Sequence, residues 1–409
     1  VSGTDLRTRS VLDLWLRIPW WGQALLVFGA ARAVTTGILL VVAAGQPANA
    51  WTGPSPSYAD FAAIWDGHWY RIIAESGYPV VLPRTDGGHV AENAWAFMPV
   101  YPGVVRALML LTGLPWAPAA AAVSIACGFA SAVVVAKLFR LVLAPSTAMF
   151  AVVCFSVSPL SPILQVAYAE SMHLLLLAVA LYLVMRRRYW LVLPVIALAS
   201  FTRPSGLAFA LFMLLHVLHR WWTRRRDPFP PNEMVAASVT AVASGIFGLG
   251  WPLIAWAVTG QLTAYTDTEL AWRAGYIGYS HLVPFAGWFQ GLDWWAQNGL
   301  GLPAGFWWGA VGVLVLVAGT IALLLSPPAK RLGVDLRLWV ASYLLYLFAV
   351  FFPQSSTFRL LVPVFPLAGV IAQPRSIVYR VAVVVVSIAA QVGWILIAWR
   401  VDGYDWTPP

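Results

Sequence analysis

The chain has 409 residues, 60% of them hydrophobic and only 10% charged, with a formal net charge of +9 and a mean hydropathy of +0.76. A typical soluble domain carries roughly 25% charged residues, and no soluble core of this size covers that much apolar surface. The numbers exclude soluble, disordered, collagenous and disulfide-scaffold classes and point to an all-α polytopic membrane protein.

A bilayer core takes about 20 apolar residues per helix. In chain order, eleven spans are expected near residues 20–44, 117–137, 147–158, 171–185, 189–202, 204–219, 235–258, 304–325, 336–352, 359–372 and 379–399. Together they make residues 1–409 one integral-membrane domain. The first apolar run, Trp15 to Gly45, is too long for a cleaved signal and has no A-x-A site, so it reads as a signal anchor. Phe97 to Leu114 is also apolar but holds Pro99, Pro102 and Arg106, which predicts a re-entrant or interfacial helix and not a span.

Two long connections, 45–116 and 259–303, stand out, since structureless stretches of this length are uncommon unless they serve a function. The first is expected to carry interfacial helices. The second is rich in aromatic residues, which favour the membrane–water interface. It reads either as a lid lying on the outer leaflet or as a plain aromatic belt. No internal repeat is visible.

Charge sets the expected orientation. Alternate connections collect seventeen basic residues against five acids, including Asp5, Arg7, Arg9 and Asp13, the Arg186–Arg188 run and Arg224–Arg226. The other set holds seven basic residues against eleven acids, Asp402 and Asp405 among them. The basic set is expected to be cytoplasmic, which places the N-terminus inside and both long connections outside. The net +9 is therefore a topology signal and implies no nucleic-acid partner.

The densest polar cluster is Trp65-Asp66-Gly67-His68-Trp69-Tyr70-Arg71, continuing to Glu75 and Tyr78. As a helix it would put Asp66, Tyr70 and Ile73 on one face and His68, Arg71, Ile72 and Glu75 on another. Ionisable groups among spans are costly, about 2.5–3.5 kcal/mol on insertion scales, and usually functional. Arg32, Glu170 and Arg203 qualify, and Arg359, near a helix start, is a further cation. No phosphate-binding P-loop or H-E-x-x-H motif occurs. Cys127 and Cys154 sit in apolar runs, and His216 and His219 read as a solvated interfacial pair. No metal and no cofactor is expected. What remains is a set of carboxylates beside arginines at a membrane surface. A carboxylate can deprotonate a sugar hydroxyl. Arginines can hold a phosphate and the charge it gains on leaving. That combination suits sugar transfer from a lipid phosphate.

The run Trp65-Asp66-Gly67-His68-Trp69-Tyr70, with Ile73-Ala74-Glu75-Ser76-Gly77-Tyr78, resembles the first external loop of the PIG-V (phosphatidylinositol-glycan class V) mannosyltransferases, members of the GT-C integral-membrane glycosyltransferases. Ala96-Phe97-Met98-Pro99-Val100-Tyr101-Pro102 is similar to that family's F-F-P-[LV]-[YF]-P run, Tyr168-Ala169-Glu170-Ser171 to its Y-[ST]-E-S, and Thr202-Arg203-Pro204-Ser205-Gly206 to its T-R-x-x-G. The likeness covers roughly residues 25–220, with a weaker echo at Arg359–Leu367. Gly67 stands where the family often has Ala, and the last 180 residues match poorly.

The resemblance implies a GT-C fold and inverting transfer of mannose from polyprenyl-phosphate mannose to a membrane-associated acceptor such as a glycolipid, at the outer face of the plasma membrane. Carried over by position, Asp66 is the catalytic base, with Asp60 as its rival. Arg203, Arg359 and His68 are expected at the donor phosphate. Trp65, Trp69, Tyr70, Glu75, Tyr78, Tyr101, Tyr168 and Glu170 are expected to line the substrate site. A GT-C transferase of another sugar, and a lipid or sugar transporter without chemistry, are the alternatives; intramembrane Arg32 and the short span at 147–158 speak for the transporter.

Overall fold

The computed structural model describes residues 15–402 except Phe306, together with Pro408. The charges at Asp5, Arg7, Arg9, Asp13 and Asp405 lie outside the described residues. Within them the fold is helical, and its only β-type pairing is the isolated bridge between Arg84 and Val90.

Among the described residues, six helices are long and apolar enough to cross a bilayer: α1 (Trp20–Ala44), α5 (Trp116–Phe139), α10 (Pro231–Thr259), α14 (Trp307–Leu325), α16 (Gly333–Val350) and α18 (Ile377–Ala398). Eleven spans were expected, and five of these fall on other segments. Those near 147–158, 171–185 and 189–202 are the short helices α6 (Pro145–Val157), α7 (Glu170–Met185) and α8 (Tyr189–Ser200). That near 359–372 is a 3₁₀ stretch, Arg359–Leu367, leading into α17 (Ala368–Ile371). Pro363 and Pro366 keep it from becoming a regular α-helix. That near 204–219 is α9 (Gly206–Thr223), whose His216, His219 and Arg220 make it less apolar than the six.

Phe97–Leu114, expected not to span, is not among the six helices of membrane length. It holds α4 (Val100–Thr112), whose 13 residues reach about 20 Å at 1.5 Å per residue. That is well short of a hydrocarbon core of about 30 Å. Gly113 ends the helix in the left-handed conformation (φ 72°), and α5 begins three residues later.

The shortness of α7 and α8 positions everything that follows. They pack on each other and rise only about 24 and 18 Å, against about 37 Å for α1 and 43 Å for α10. At the bundle end that collects the first residue of α7 and the last of α8, Glu170 and Ser200 are only 5% and 3% exposed, so this end is a recess, a funnel walled by the taller elements around it. The opposite end holds Lys137, Arg140, Arg186–Arg188, Arg224–Arg226, Lys330, Arg331 and Arg375. Large apolar side chains in the middle of the long helices, such as Val242, Leu314 and Val386, are exposed, as a lipid-facing belt requires.

Residues 45–116 are built into the funnel wall. They contain α2 (Tyr58–Ala62), α3 (Asp66–Ser76), a 3₁₀ turn at Ala94–Ala96 and α4. Tryptophan indoles pin them to the bundle by donating to backbone carbonyls: Trp65 to Ala398, Trp399 to Phe61, and Trp251 to Trp95. Each indole buries apolar area and satisfies its single donor. In 259–303 lie α11 (Ala264–Ala271), α12 (Ala274–Ile277) and α13 (Ala286–Asn298). Of these, α11 packs on α10 and on the Ala94–Ala96 turn.

Arg32 is part of the frame. Its guanidinium donates to the Ser156 carbonyl (2.6 Å), to Ser161 Oγ (2.7 Å) and to the Ser161 carbonyl. Pro159 and Pro162 prevent α6 from continuing, and its last carbonyls need donors. Arg32 supplies them, and its positive charge suits a helix C-terminus. Gln391 of α18 adds a further bond to the Val157 carbonyl (2.8 Å). The intramembrane arginine and the broken short helix are thus two halves of one structural device.

Candidate active site

Four side chains meet at the bottom of the funnel. Asp66 is the first residue of α3, and Glu170 is the first of α7. Both carboxylates sit where a helix N-terminus favours negative charge. Arg203 lies in the turn between α8 and α9, with its backbone N–H bonded to the Ala199 carbonyl (3.0 Å). Arg359 opens the 3₁₀ stretch. Tyr343 Oη, donating to the Leu360 carbonyl (2.7 Å), and Trp339 Nε1, donating to the Pro363 carbonyl (2.8 Å), fasten that stretch to α16.

The charges alternate. Arg359 donates to Asp66 Oδ2, and Arg203 approaches the same oxygen at 3.9 Å. Arg203 lies 2.9 Å from Glu170 Oε1, and Arg359 Nε lies 3.9 Å from it. All four side chains are at most 13% exposed. Two acids and two guanidiniums sum to zero, which is how such a cluster survives burial. It is not saturated: both Glu170 oxygens and Arg359 Nε are buried without a hydrogen bond of good geometry.

The local backbone explains how Asp66 reaches the cluster. Trp65 holds φ 58° and ψ −121°, an unfavourable conformation for a tryptophan, and this turn directs Asp66 inward. Gly67 faces the Ala167 carbonyl at 3.4 Å from where a Cβ would sit, an ordinary contact, so alanine fits there too. Tyr168 Oη accepts the Asp66 backbone N–H (3.2 Å), and Arg359 lies over the Tyr168 ring (5.4 Å). Tyr70 Oη accepts from Arg203 (3.4 Å). Burial raises the pKa of both tyrosines, so they stay neutral hydrogen-bonding groups. Burial pulls the Arg203 pKa down, but Glu170, Tyr70 and Asp66 raise it further, and it remains charged.

The structure separates the expected site residues into two groups. It brings Asp66, Tyr70, Tyr168, Glu170, Arg203 and Arg359 together. Trp69 lies nearby, packed on Phe97 and Trp272. The others stand apart. Glu75 is exposed and paired with Arg71 (2.9 Å), and His68 is exposed beside Trp51. Trp65 and Tyr101 are buried supports, and Tyr78 is half-buried with its hydroxyl donating to the Phe97 carbonyl (2.9 Å); Tyr101 packs on the Tyr70 ring and bonds the Ala120 carbonyl and Ser124. Asp60 is exposed and accepts from Ser57 at the start of α2 (2.6 Å), away from the cluster. The helical face expected for α3 is the observed one, with Asp66, Tyr70 and Ile73 buried.

Sequence reasoning passed over the residues on the upper wall. Tyr265 and Glu269 on α11, Arg273 just after it, and Tyr346 on α16 surround the same space. A signal was present: Tyr265, Glu269 and Arg273 recur every four residues, the spacing of one helix face.

An apolar cavity of about 210 Å³ begins two residues beyond Arg359 and continues along the 3₁₀ stretch. Leu361, Phe365, Ile371, Phe155, Leu164 and Val383 line it. The 3₁₀ stretch thus carries Arg359 of the ion-pair cluster at its start and lines an apolar slot with the residues that follow. Among the described residues, no group of three or more His, Cys, Asp or Glu side chains could hold a metal ion. No protein-family model and no curated protein matches the chain.

Proposed function

We propose that the protein is an inverting glycosyltransferase of the GT-C type, which moves mannose from polyprenyl-phosphate mannose to a membrane-associated acceptor at the outer face of the plasma membrane. The observation that carries this reading is the alternating Asp66–Arg359–Glu170–Arg203 cluster, buried in a recessed funnel and adjoining an apolar slot. The four motifs that resemble the PIG-V family bear on the same place, since Asp66, Glu170 and Arg203 each come from one of them. The outward orientation rests on the basic end lying opposite the funnel.

The chemistry follows from the charges. The donor phosphate competes with the two carboxylates for Arg203 and Arg359, and a planar guanidinium can bind two phosphate oxygens at once. Once displaced, Asp66 is free to accept a proton. It takes the proton of the acceptor hydroxyl as that oxygen attacks the anomeric carbon. The bond from anomeric carbon to phosphate oxygen breaks, and its electron pair stays with the lipid phosphate. Arg203 and Arg359 hold the resulting charge. A phosphate leaving group needs no catalytic acid.

The decisive experiment incubates membranes containing the protein with radiolabelled polyprenyl-phosphate mannose and identifies the labelled product. Protein-dependent label in a new glycoside is expected. A label that only changes leaflet, still as intact donor, would establish a carrier without chemistry. Transfer from the corresponding glucose or arabinose donor alone would keep the mechanism and change the sugar.

A further inference from the structure

The upper wall of the funnel has no role in the chemistry above, yet it is built with care. Asn93 Nδ2 donates to Thr268 Oγ1 (2.9 Å), and Trp272 packs on Trp69 and Phe97, so α11 is held at its middle and at its C-terminal end. This docking presents Tyr265 and Glu269 to the interior. Thr268 and Leu270 are buried, whereas Glu269 between them is open to solvent although protein surrounds it. Its carboxylate is therefore accessible to a solute. Arg273, only 8% exposed, has its Nε buried without a partner, and Trp272 Nε1 is in the same state. Donors without acceptors beside an accessible carboxylate are what a polyol would satisfy.

We infer that Glu269 and Tyr265 form the seat of the donor's hexose ring, with Glu269 accepting hydrogen bonds from adjacent sugar hydroxyls. The seat rests on the lipid-phosphate donor reading. Its placement fits: Glu269 is within electrostatic reach of Arg203 and Asp66, and a pyranose is one bond from its phosphate. A phosphate on Arg203 therefore leaves the ring between the cluster and α11.

Ionisation gives the seat a signature. The groups facing Glu269 are Tyr265 on its own helix, Arg273 after it, Arg203 from the α8–α9 turn, Asp66 from α3 and Tyr346 from α16. Burial lifts the Glu269 carboxyl to about 7, and the Tyr265 hydroxyl, Arg203 and Arg273 offset that rise in part. As pH rises through this value the neutral acid becomes a carboxylate, a stronger acceptor for hydroxyls. The affinity gained from the sugar should rise in the same window.

The test uses the full chain in lipid nanodiscs and two probes, citronellyl phosphate and its mannosyl ester. The wild type should bind the mannosyl ester roughly tenfold more tightly. This advantage should grow between pH 6 and pH 8. Glu269→Gln should erase the advantage at every pH while its affinity for citronellyl phosphate stays within about threefold of wild type. Tyr265→Phe, which removes one hydroxyl, should give an intermediate loss and guards against misfolding of the first variant. An undiminished sugar advantage in both variants overturns the seat. So does an equal loss for both probes, which would make Glu269 a support for Arg203. A wild type that binds citronellyl phosphate no better than citronellol overturns the donor reading itself, and the seat with it.

Discussion

Asp66 and Arg203 carry the sharpest expectations. Asp66→Asn is nearly isosteric and removes one competitor for Arg359 and Arg203. Turnover should fall about 10²–10⁴-fold, the usual cost of losing a general base. Binding of citronellyl phosphate should hold or tighten. A structural role alone would lower both. Near-normal turnover in this variant would remove Asp66 from the chemistry, and exposed Asp60 offers no substitute from where it stands. Arg203→Lys keeps a charge but loses the planar fork, so phosphate affinity should drop roughly tenfold. Unchanged affinity would move the phosphate to Arg359 alone. Both residues were visible in sequence, Arg203 as a charge in an apolar context and Asp66 as part of a dense polar run that resembles a known motif. The exclusion of Glu75 and His68 was also implicit there, since helical spacing already put them on the face opposite Asp66.

Helices position these residues through close contacts at their ends. At Gly206, the first residue of α9, an added Cβ would lie 2.6 Å from Gly248 Cα and 2.6 Å from Ser200 Oγ. The crossing of α9 and α10 is therefore backbone on backbone, and it fixes the turn that holds Arg203. Gly206→Ala should lower the thermal stability of the detergent-solubilised protein, by about 1–3 kcal/mol as overpacking usually does. Phosphate affinity should fall with it, since the Arg203 turn must shift. Arg32 gives the opposite pattern. Arg32→Met strands the carbonyls of Ser156 and Ser161, at about 1–3 kcal/mol for each buried unsatisfied group. A melting temperature lowered with phosphate affinity intact is expected. Loss of affinity without loss of stability would return Arg32 to the list of functional residues. Composition marked Arg32 as unusual but gave no means of telling a helix cap from a transport residue, because its partners are more than 120 residues away.

The whole molecule has a polar, charge-balanced funnel at one end and a basic rim at the other, and the proposed activity needs the funnel outside. In a background lacking Cys127 and Cys154, Asp86→Cys should react with an impermeant thiol reagent applied to intact cells. Arg225→Cys should react only after lysis. The reverse pattern would place the funnel in the cytoplasm and remove access to an outer-face donor.

Sequence by itself determined the class and most of the cluster. Too little charge for the apolar surface required a membrane protein, and the distribution of arginines marked two ends. Helical periodicity chose the buried face of α3, the isolated charges at 170, 203 and 359 marked three of the cluster's members, and the motif resemblance marked Asp66. Tertiary structure decided what those members do to one another. Alternating ion pairs depend on the heights at which separate helices end, and helix length in a bundle is set by packing as much as by hydropathy. For that reason eleven apolar segments gave six helices of membrane length, and the shortness of α7 and α8 became the recess that holds the site. Glu269 shows the same division. Its spacing from Tyr265 and Arg273 is local and readable, but its position over Arg203 exists only because α11 is anchored to Asn93 and Trp69, some 175 residues or more before it in the chain.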